Sequence, residues 1–310
     1  FLTIAIFITC TSTAKQRPEG GWLWKISGNG LSHPSYLFGT YHGTYDILYQ
    51  YTDSIPELHQ AFNACSQFAG ESETTSKPTP AQVGVAIKLP KDTTYADLLN
   101  KEDFHFLDSI VRQSLKSPLN KVYIKPNFLA LILGEIEKGK KLVDTGYSQS
   151  RIDSMKSQVM DIALEKKAKE KGLTIVGLEG IFDAFVSEKS NLKKEADELI
   201  SDLREDDEIS PLSFVNTLSD VYRTQNMKSL IDFEVKVDSI FRTSPKLTEI
   251  GKRIREDLLK RRNLNWMNKI PELMKAQPTF IAVGVRHLPG KDGLIALLLE
   301  KGYQVEPIGL

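Results

Sequence analysis

Two segments of this sequence share one form, an apolar run followed by Gly-x-x-His. In the first, Tyr36-Leu37-Phe38 leads into Gly39-Thr40-Tyr41-His42. In the second, Phe280-Ile281-Ala282-Val283 leads into Gly284-Val285-Arg286-His287. Short apolar runs bounded by turn signals read as strands. Glycine lets the chain turn sharply at the strand end. The imidazole then falls in the loop beyond, where open α/β sheets bind their ligands. Two more strand-like runs end in an acid: Phe68-Ala69-Gly70-Glu71 and Val176-Gly177-Leu178-Glu179. Two imidazoles and one or two carboxylates form a donor set suited to Zn, Mn, Fe or Co. A metal with an open position acidifies a bound water and polarises a carbonyl. One Gly-x-x-His alone means little, and a lone buried histidine is more often packed or hydrogen-bonded than ligating. The repeated context is what gives the pair weight.

The elements that must position these residues follow from local pattern. Residues 22–26 and 35–39 flank the turn-like Ser27-Gly28-Asn29-Gly30 and read as a hairpin or two adjacent strands. Asp53-Ser54-Ile55-Pro56 opens a helix through Ala64, with Pro56 in its first turn. Residues 66–70 form the next strand, and residues 74–80, rich in Thr, Ser, Pro and Lys, a loop. From about 94 to 170 the apolar spacing is helical, with Gly172 capping the last helix. Residues 173–177 are β-rich. Residues 191–208 read as an exposed, highly charged amphipathic helix, and helical patterning continues to about 275. Residues 279–284 are a strand, Asp292 is placed to cap a helix over Leu294, Leu297 and Leu298, Gly302 stops it, and residues 303–308 form a final strand. Helix–strand alternation at both ends predicts an α/β fold. Its sheet is mixed and mostly parallel, built from the N- and C-terminal segments. A largely helical insertion over about 90–275 separates them within a single domain spanning 21–310.

Composition narrows the class. The 310 residues are 41% hydrophobic and 26% charged with zero net charge, which is a globular balance and lacks the basic stripe of a nucleic-acid binder. The basic run Lys252, Arg253, Arg255, Lys260, Arg261 and Arg262 is interrupted by Ile254, Leu258 and Leu259, so it reads as an amphipathic helix with a solvated basic face. The two cysteines, Cys10 and Cys65, have neither zinc-type nor redox spacing, and Cys65 reads as a small buried hydrophobe. Residues 1–10 are almost wholly apolar and resemble the end of a secretory signal peptide, with residues 11–20 as a linker. The expectation is an exported protein, periplasmic or anchored to a membrane through a lipidated Cys10. HExxH, GxSxG, Walker A and GxGxxG sequences are all absent.

The stretch Leu37-Phe38-Gly39-Thr40-Tyr41-His42 resembles the N-terminal signature of the TraB/GumN/Tiki family. Residues 280–290, followed by Gly293-Leu294-Ile295 and Gly302-Tyr303-Gln304-Val305, resemble its C-terminal signature. Between them, Lys125-Pro126, Gly177-Leu178-Glu179 and Arg261-Arg262-Asn263 with Trp266 resemble internal landmarks in the same order. The resemblance covers roughly residues 21–308. It implies an erythromycin-esterase/ChaN-like α/β fold. It also implies a hydrolase related to membrane-tethered metalloproteases that favour Mn or Co, with Zn or Fe as alternatives, acting on a peptide or protein substrate. Carried over by motif, His42 and His287 are the paired Gly-x-x-His histidines, expected as metal ligands or as a catalytic pair; Glu71 is expected as metal ligand or general base, and Glu179 and Arg262 as further catalytic residues. Asn263 completes the Arg-Asn pair as a local organiser of backbone. Arg286 departs from the family pattern, which commonly has a small residue there, and Gly70 stands where an apolar residue is usual.

Two other functions fit the same residues. A non-catalytic haem- or peptide-binding protein needs only a histidine, as in ChaN-like relatives. A metal-independent esterase of the same fold uses His and Glu directly, and its activity survives chelation. For Arg262 the forked guanidinium suits either an oxyanion or a buried ion pair between helix and sheet. Tyr41 and Tyr45 read as strand-end packing, and His33, His59 and His105 as surface residues.

Overall fold

The computed structural model describes residues 20–41, 52–53, 55–73, 78–156, 158–180, 182–183, 191–204 and 211–309. Six strands form one sheet: β1 (Leu23–Gly28), β2 (Ser35–Thr40), β3 (Gln67–Gly70), β4 (Thr174–Gly177), β5 (Thr279–Gly284) and β6 (Tyr303–Ile308). Their order is β4-β3-β5-β2-β1-β6. The pairs β4–β3, β3–β5 and β5–β2 are parallel, whereas β1 runs antiparallel to both β2 and β6. The sheet is therefore mixed and mostly parallel, as the helix–strand alternation implied. Strand β4 enters it from within the largely helical stretch.

The C-terminal strand β5 slots between β2 and β3. Every residue of its Thr-Phe-Ile-Ala-Val-Gly run is buried, the pattern of a central strand covered on both faces. Phe280 stacks on Phe68 of β3 and meets Phe62 of helix Pro56–Asn63 edge-on, with ring centroids 6.3 and 5.0 Å away. These rings join two neighbouring elements near the N-terminus to a strand more than 200 residues away. The connecting helices bring a second hydrophobic cluster of their own. Leu98, Leu107, Leu119, Leu129, Leu133 and Leu199 are among its buried members, drawn from helices Tyr95–Leu98, Lys101–Leu115, Pro126–Asp144 and Leu192–Arg204 and from the turn at Leu119–Lys121.

Several boundaries agree with the local signals. Pro56 opens its helix, and Gly172 and Gly302 lie just past helix ends with φ of 74° and 88°, a conformation costly for any other residue. One cap differs from expectation. The helix Leu294–Glu300 is entered through Gly293, not Asp292. A Cβ on Gly293 would lie 2.1 Å from the Pro289 carbonyl oxygen, so the chain turns into the helix where only glycine fits. A second helix, Pro80–Ile87, takes in the end of the stretch expected to be a loop and is started by a capping box between Thr79 and Gln82; residues 74–77 of that stretch lie outside the described residues. In the described residues no helix is long and apolar enough to cross a membrane. The segment carrying Cys10 lies outside the described residues.

Cys65 sits 7% exposed beneath the sheet, donating its thiol to the Ala61 carbonyl oxygen, and burial pushes the thiol from 9.0 up to about 12. A group held neutral in the fold but free to ionise when unfolded contributes stability that is intact below pH 9 and lost as pH rises towards 12. Native protein at pH 8 is therefore expected to leave Cys65 unmodified by iodoacetamide over hours, while protein in urea is alkylated completely. Mass spectrometry of the peptide containing Cys65 checks this.

Candidate functional site at the carboxyl edge of the sheet

The parallel register brings the ends of β4, β3, β5 and β2 to one edge. Gly70 is level with Gly177, and Thr40 with Gly284. The β3–β4 ladder continues past the strands: Leu178 N–H donates to the Gly70 oxygen and Glu179 N–H to the Glu71 oxygen at 2.8 Å. This continuation places two acids side by side. Space is tight here, since a Cβ on Gly177 would lie 3.0 Å from both the Glu179 oxygen and the Glu73 nitrogen.

Two adjacent carboxylates, each less than a fifth exposed, would repel one another. Arg262 lies between them. Its Nε donates to both oxygens of Glu179, at 2.9 and 3.2 Å, and its Nη2 donates to Glu71 Oε2 and Glu179 Oε1. Nη1 donates to the Leu258 oxygen and faces His287 Nε2 at 3.2 Å. All five guanidinium N–H donors thus face acceptors. Burial works against this cation, but Glu71 and Glu179 outweigh it and hold the guanidinium above its ordinary value. Glu71 also accepts the Gly284 N–H at Oε1, 2.7 Å, which ties the end of β3 to the end of β5.

Arg262 belongs to the basic run expected to form a solvated face, and it is 9% exposed. The helical path explains the difference. Residues Ile254–Lys260 form a π-helical turn between helices Pro245–Arg253 and Arg261–Trp266. A π-turn inserts about one residue and rotates all that follows by roughly 100°. Arg261 stays 39% exposed near Asp257, while Arg262 turns inward. Two residues of the same helix complete the site. Trp266 donates Nε1–H to Glu179 Oε2 at 3.1 Å, lies 4.7 Å beneath the Arg262 guanidinium, and packs its ring 4.5 Å from that of His287. Asn263 Nδ2 donates to the main-chain oxygens of Asp292 and His287, at 2.8 and 3.2 Å, which identifies Oδ1 as the atom 2.7 Å from His287 Nδ1. An amide oxygen only accepts, so Nδ1 carries the proton and, in the neutral ring, Nε2 carries the lone pair.

His287 Nε2 stands 3.8 Å from Glu71 Oε1. Two ligands on one ion at ordinary bond lengths are about 3.0–3.4 Å apart, so the two atoms fit neighbouring positions after a small contraction. Asn263 gives the outer support that a ligating imidazole uses. Both oxygens of Glu179 are engaged by Arg262 and Trp266, so Glu179 holds the guanidinium and the indole in place. Among the described residues no group of three or more His, Cys, Asp or Glu could hold a metal ion. His42 and Tyr45 lie outside the described residues.

The glycines act through space rather than conformation. Neither Gly39 nor Gly284 has a positive φ. A Cβ on Gly39 would instead lie 2.9 Å from Val285 Cγ2 and 3.1 Å from Leu288 Cδ2, so glycine lets β2 lie directly against the His287 turn. The Gly39 oxygen accepts the hydroxyl of Tyr222, 2.7 Å, and Tyr41 packs on the same ring with centroids 5.3 Å apart. Strand-end packing is therefore the role of Tyr41, which is 1% exposed. Tyr222 and the supporting part of Trp266 had no local sequence signal, because each acts only across the fold.

This combination defines a class: an α/β protein whose parallel strands deliver acids and a histidine to one edge, with an arginine helix laid across it. Within that class the chain belongs to the TraB/PrgY/gumN family, which it matches over residues 22–307. Comparison with curated proteins and with solved structures finds no match.

Replacing Arg262 with Met removes the group that, among the described residues, donates to both acids. The expected loss is about 3–5 kcal/mol of unfolding free energy at pH 7, the usual cost of leaving buried charge unpaired. Urea denaturation of both proteins at pH 7 measures it. Wild-type Arg262 is charged there, since Glu71 and Glu179 hold its guanidinium above its ordinary value against the effect of burial.

Proposed function

We propose that this chain is a hydrolase cleaving peptide bonds, with a divalent ion, Mn or Co before Zn or Fe, held by His287 Nε2, Glu71 Oε1 and His42. The observation that carries this reading is the 2.7 Å contact between Asn263 Oδ1 and His287 Nδ1, from which the tautomer follows. Asn263 keeps the proton on Nδ1 and leaves the Nε2 lone pair 3.8 Å from Glu71 Oε1, where an ion would take the place of the Arg262 Nη1 contact. An ion bound there would supply Lewis acidity and lower the pKa of a water. The chain's own residues do the rest. Arg262 and the Gly284 N–H fix the direction of Glu71, which is the group to accept a proton from the attacking water. Glu179 holds Arg262 and does not itself meet substrate. Trp266 forms an apolar wall that keeps His287 and Arg262 in place and excludes water from that side. A peptide substrate is favoured by family membership and by the resemblance of both Gly-x-x-His signatures to those of the metalloprotease members.

A second reading has its own support. Arg262 already supplies a cation between the two acids, 3.2 Å from His287 Nε2. His287 as general base, with Arg262 balancing charge, would make a metal-independent hydrolase.

Metal analysis of protein purified without chelator, paired with a peptide-library assay, separates the two. The first reading expects about one ion per chain, lost in His287→Ala, and hydrolysis that chelator abolishes and Glu71→Gln lowers by about 10²–10⁴-fold. Hydrolysis that survives chelation moves the assignment to the metal-independent form. A chain that takes up no metal and cleaves nothing would defeat both.

We also propose that the chain is exported, either periplasmic or anchored to a membrane through a lipidated Cys10. Labelling of expressing cells with a palmitate analogue is expected to tag the wild type and not Cys10→Ser. An untagged wild type removes the anchor.

A further inference from the structure

Helix Met227–Phe241 is fixed on one side by the main core, where Met227, Leu230, Phe233, Val237 and Phe241 are buried. Its companion Pro245–Arg253 lies close against it, since a Cβ on Gly251 would lie 2.7 Å from the Phe241 ring. The acids Glu234 and Asp238 stand one turn apart on this helix. Arg286, the residue before His287, grips Glu234 with both arms of its fork, Nε to Oε1 and Nη2 to Oε2 at 2.9 Å. Burial opposes the Arg286 charge, but Glu234 and then Asp238 hold the guanidinium above its ordinary value. Arg255 donates Nη1 to Asp238 Oδ1. It lies in the π-turn that rotates Arg262 into the site.

Arg286 and Glu234 are only 26% and 27% exposed, and a forked, partly buried pair holds geometry far better than an exposed one. One acidic face thus meets both approaches to the cluster, the loop that carries His287 and the turn that precedes Arg262. We propose that Glu234 and Asp238 are positioning residues, and that helix Met227–Phe241 is a clamp setting the distance of His287 from Arg262 and Glu71 through Arg286 and Arg255. The clamp rests on the cluster being the reaction centre. It gives Arg286 a purpose where a small residue would leave the loop untied.

The test is hydrogen exchange on the full chain, followed by mass spectrometry, for wild type, Glu234→Gln, Asp238→Asn, Arg286→Gln and Glu234→Gln/Arg286→Gln. Glu234→Gln is expected to speed exchange over residues 284–290 about tenfold, and Asp238→Asn over 254–262, with residues 279–283 of β5 unchanged. The double variant should be no faster than either single one, because the pair acts as a unit. With a cleaved peptide, Glu234→Gln should lower kcat about tenfold and leave KM within about twofold. Unchanged exchange in both segments, acceleration spread equally into β5, or additive effects in the double variant would overturn the clamp. The local pattern in a wild type that cleaves no peptide would retire the hydrolase reading while upholding the clamp. Uniform exchange in an active enzyme would sink the clamp alone.

Discussion

Everything at the carboxyl edge depends on one cation placed between two acids. The β3–β4 ladder runs on far enough to set Glu179 beside Glu71. Taken alone, that pairing is unfavourable, since like charges withdrawn from water repel strongly. Arg262 converts the repulsion into a bridge and in doing so ties helix Arg261–Trp266 to both strands. Such a bridge is weak support for overall stability, because desolvation offsets much of the attraction. It is strong support for geometry, because removing Arg262 leaves two buried carboxylates side by side without their shared cation.

The histidine follows from the same helix. Arg262, Asn263 and Trp266 occupy consecutive or nearby helical positions and engage His287 by charge, hydrogen bond and ring contact respectively. Asn263 decides which nitrogen carries the proton, Arg262 lies beside the other, and Trp266 limits ring rotation. The backbone of β5 reaches this cluster because Gly39 lets β2 lie against the 285–288 turn and because Glu71 caps the Gly284 N–H. Sheet packing and site chemistry are thus held by the same few contacts.

Much of this was legible in the linear sequence. The two Gly-x-x-His repeats, the acids at the ends of two further runs, and the alternation of strands with helices are local patterns. Backbone pairing and burial impose periods of two and 3.6 that any reader of residues can follow. The positions of β2, β3, β4 and β5 came from that alone. So did the identity of Cys65 as a buried hydrophobe, because an isolated cysteine among apolar neighbours has no chemistry to perform.

Tertiary structure alone decided the rest. A basic run reads as a solvated face until a π-turn rotates one arginine inward, and a widened turn leaves no mark on composition. The insertion of β5 between β2 and β3 joins residues more than 200 positions apart, so the Gly284 N–H could not be paired with Glu71 from spacing. Tyr222, Trp266 and Glu234 make their contacts to distant backbone or side chains. The sequence by itself determined which chemical groups arrive at the edge of the sheet. Only the fold determined which of them face one another, because that depends on long-range register and helix rotation, which local periodicity does not encode.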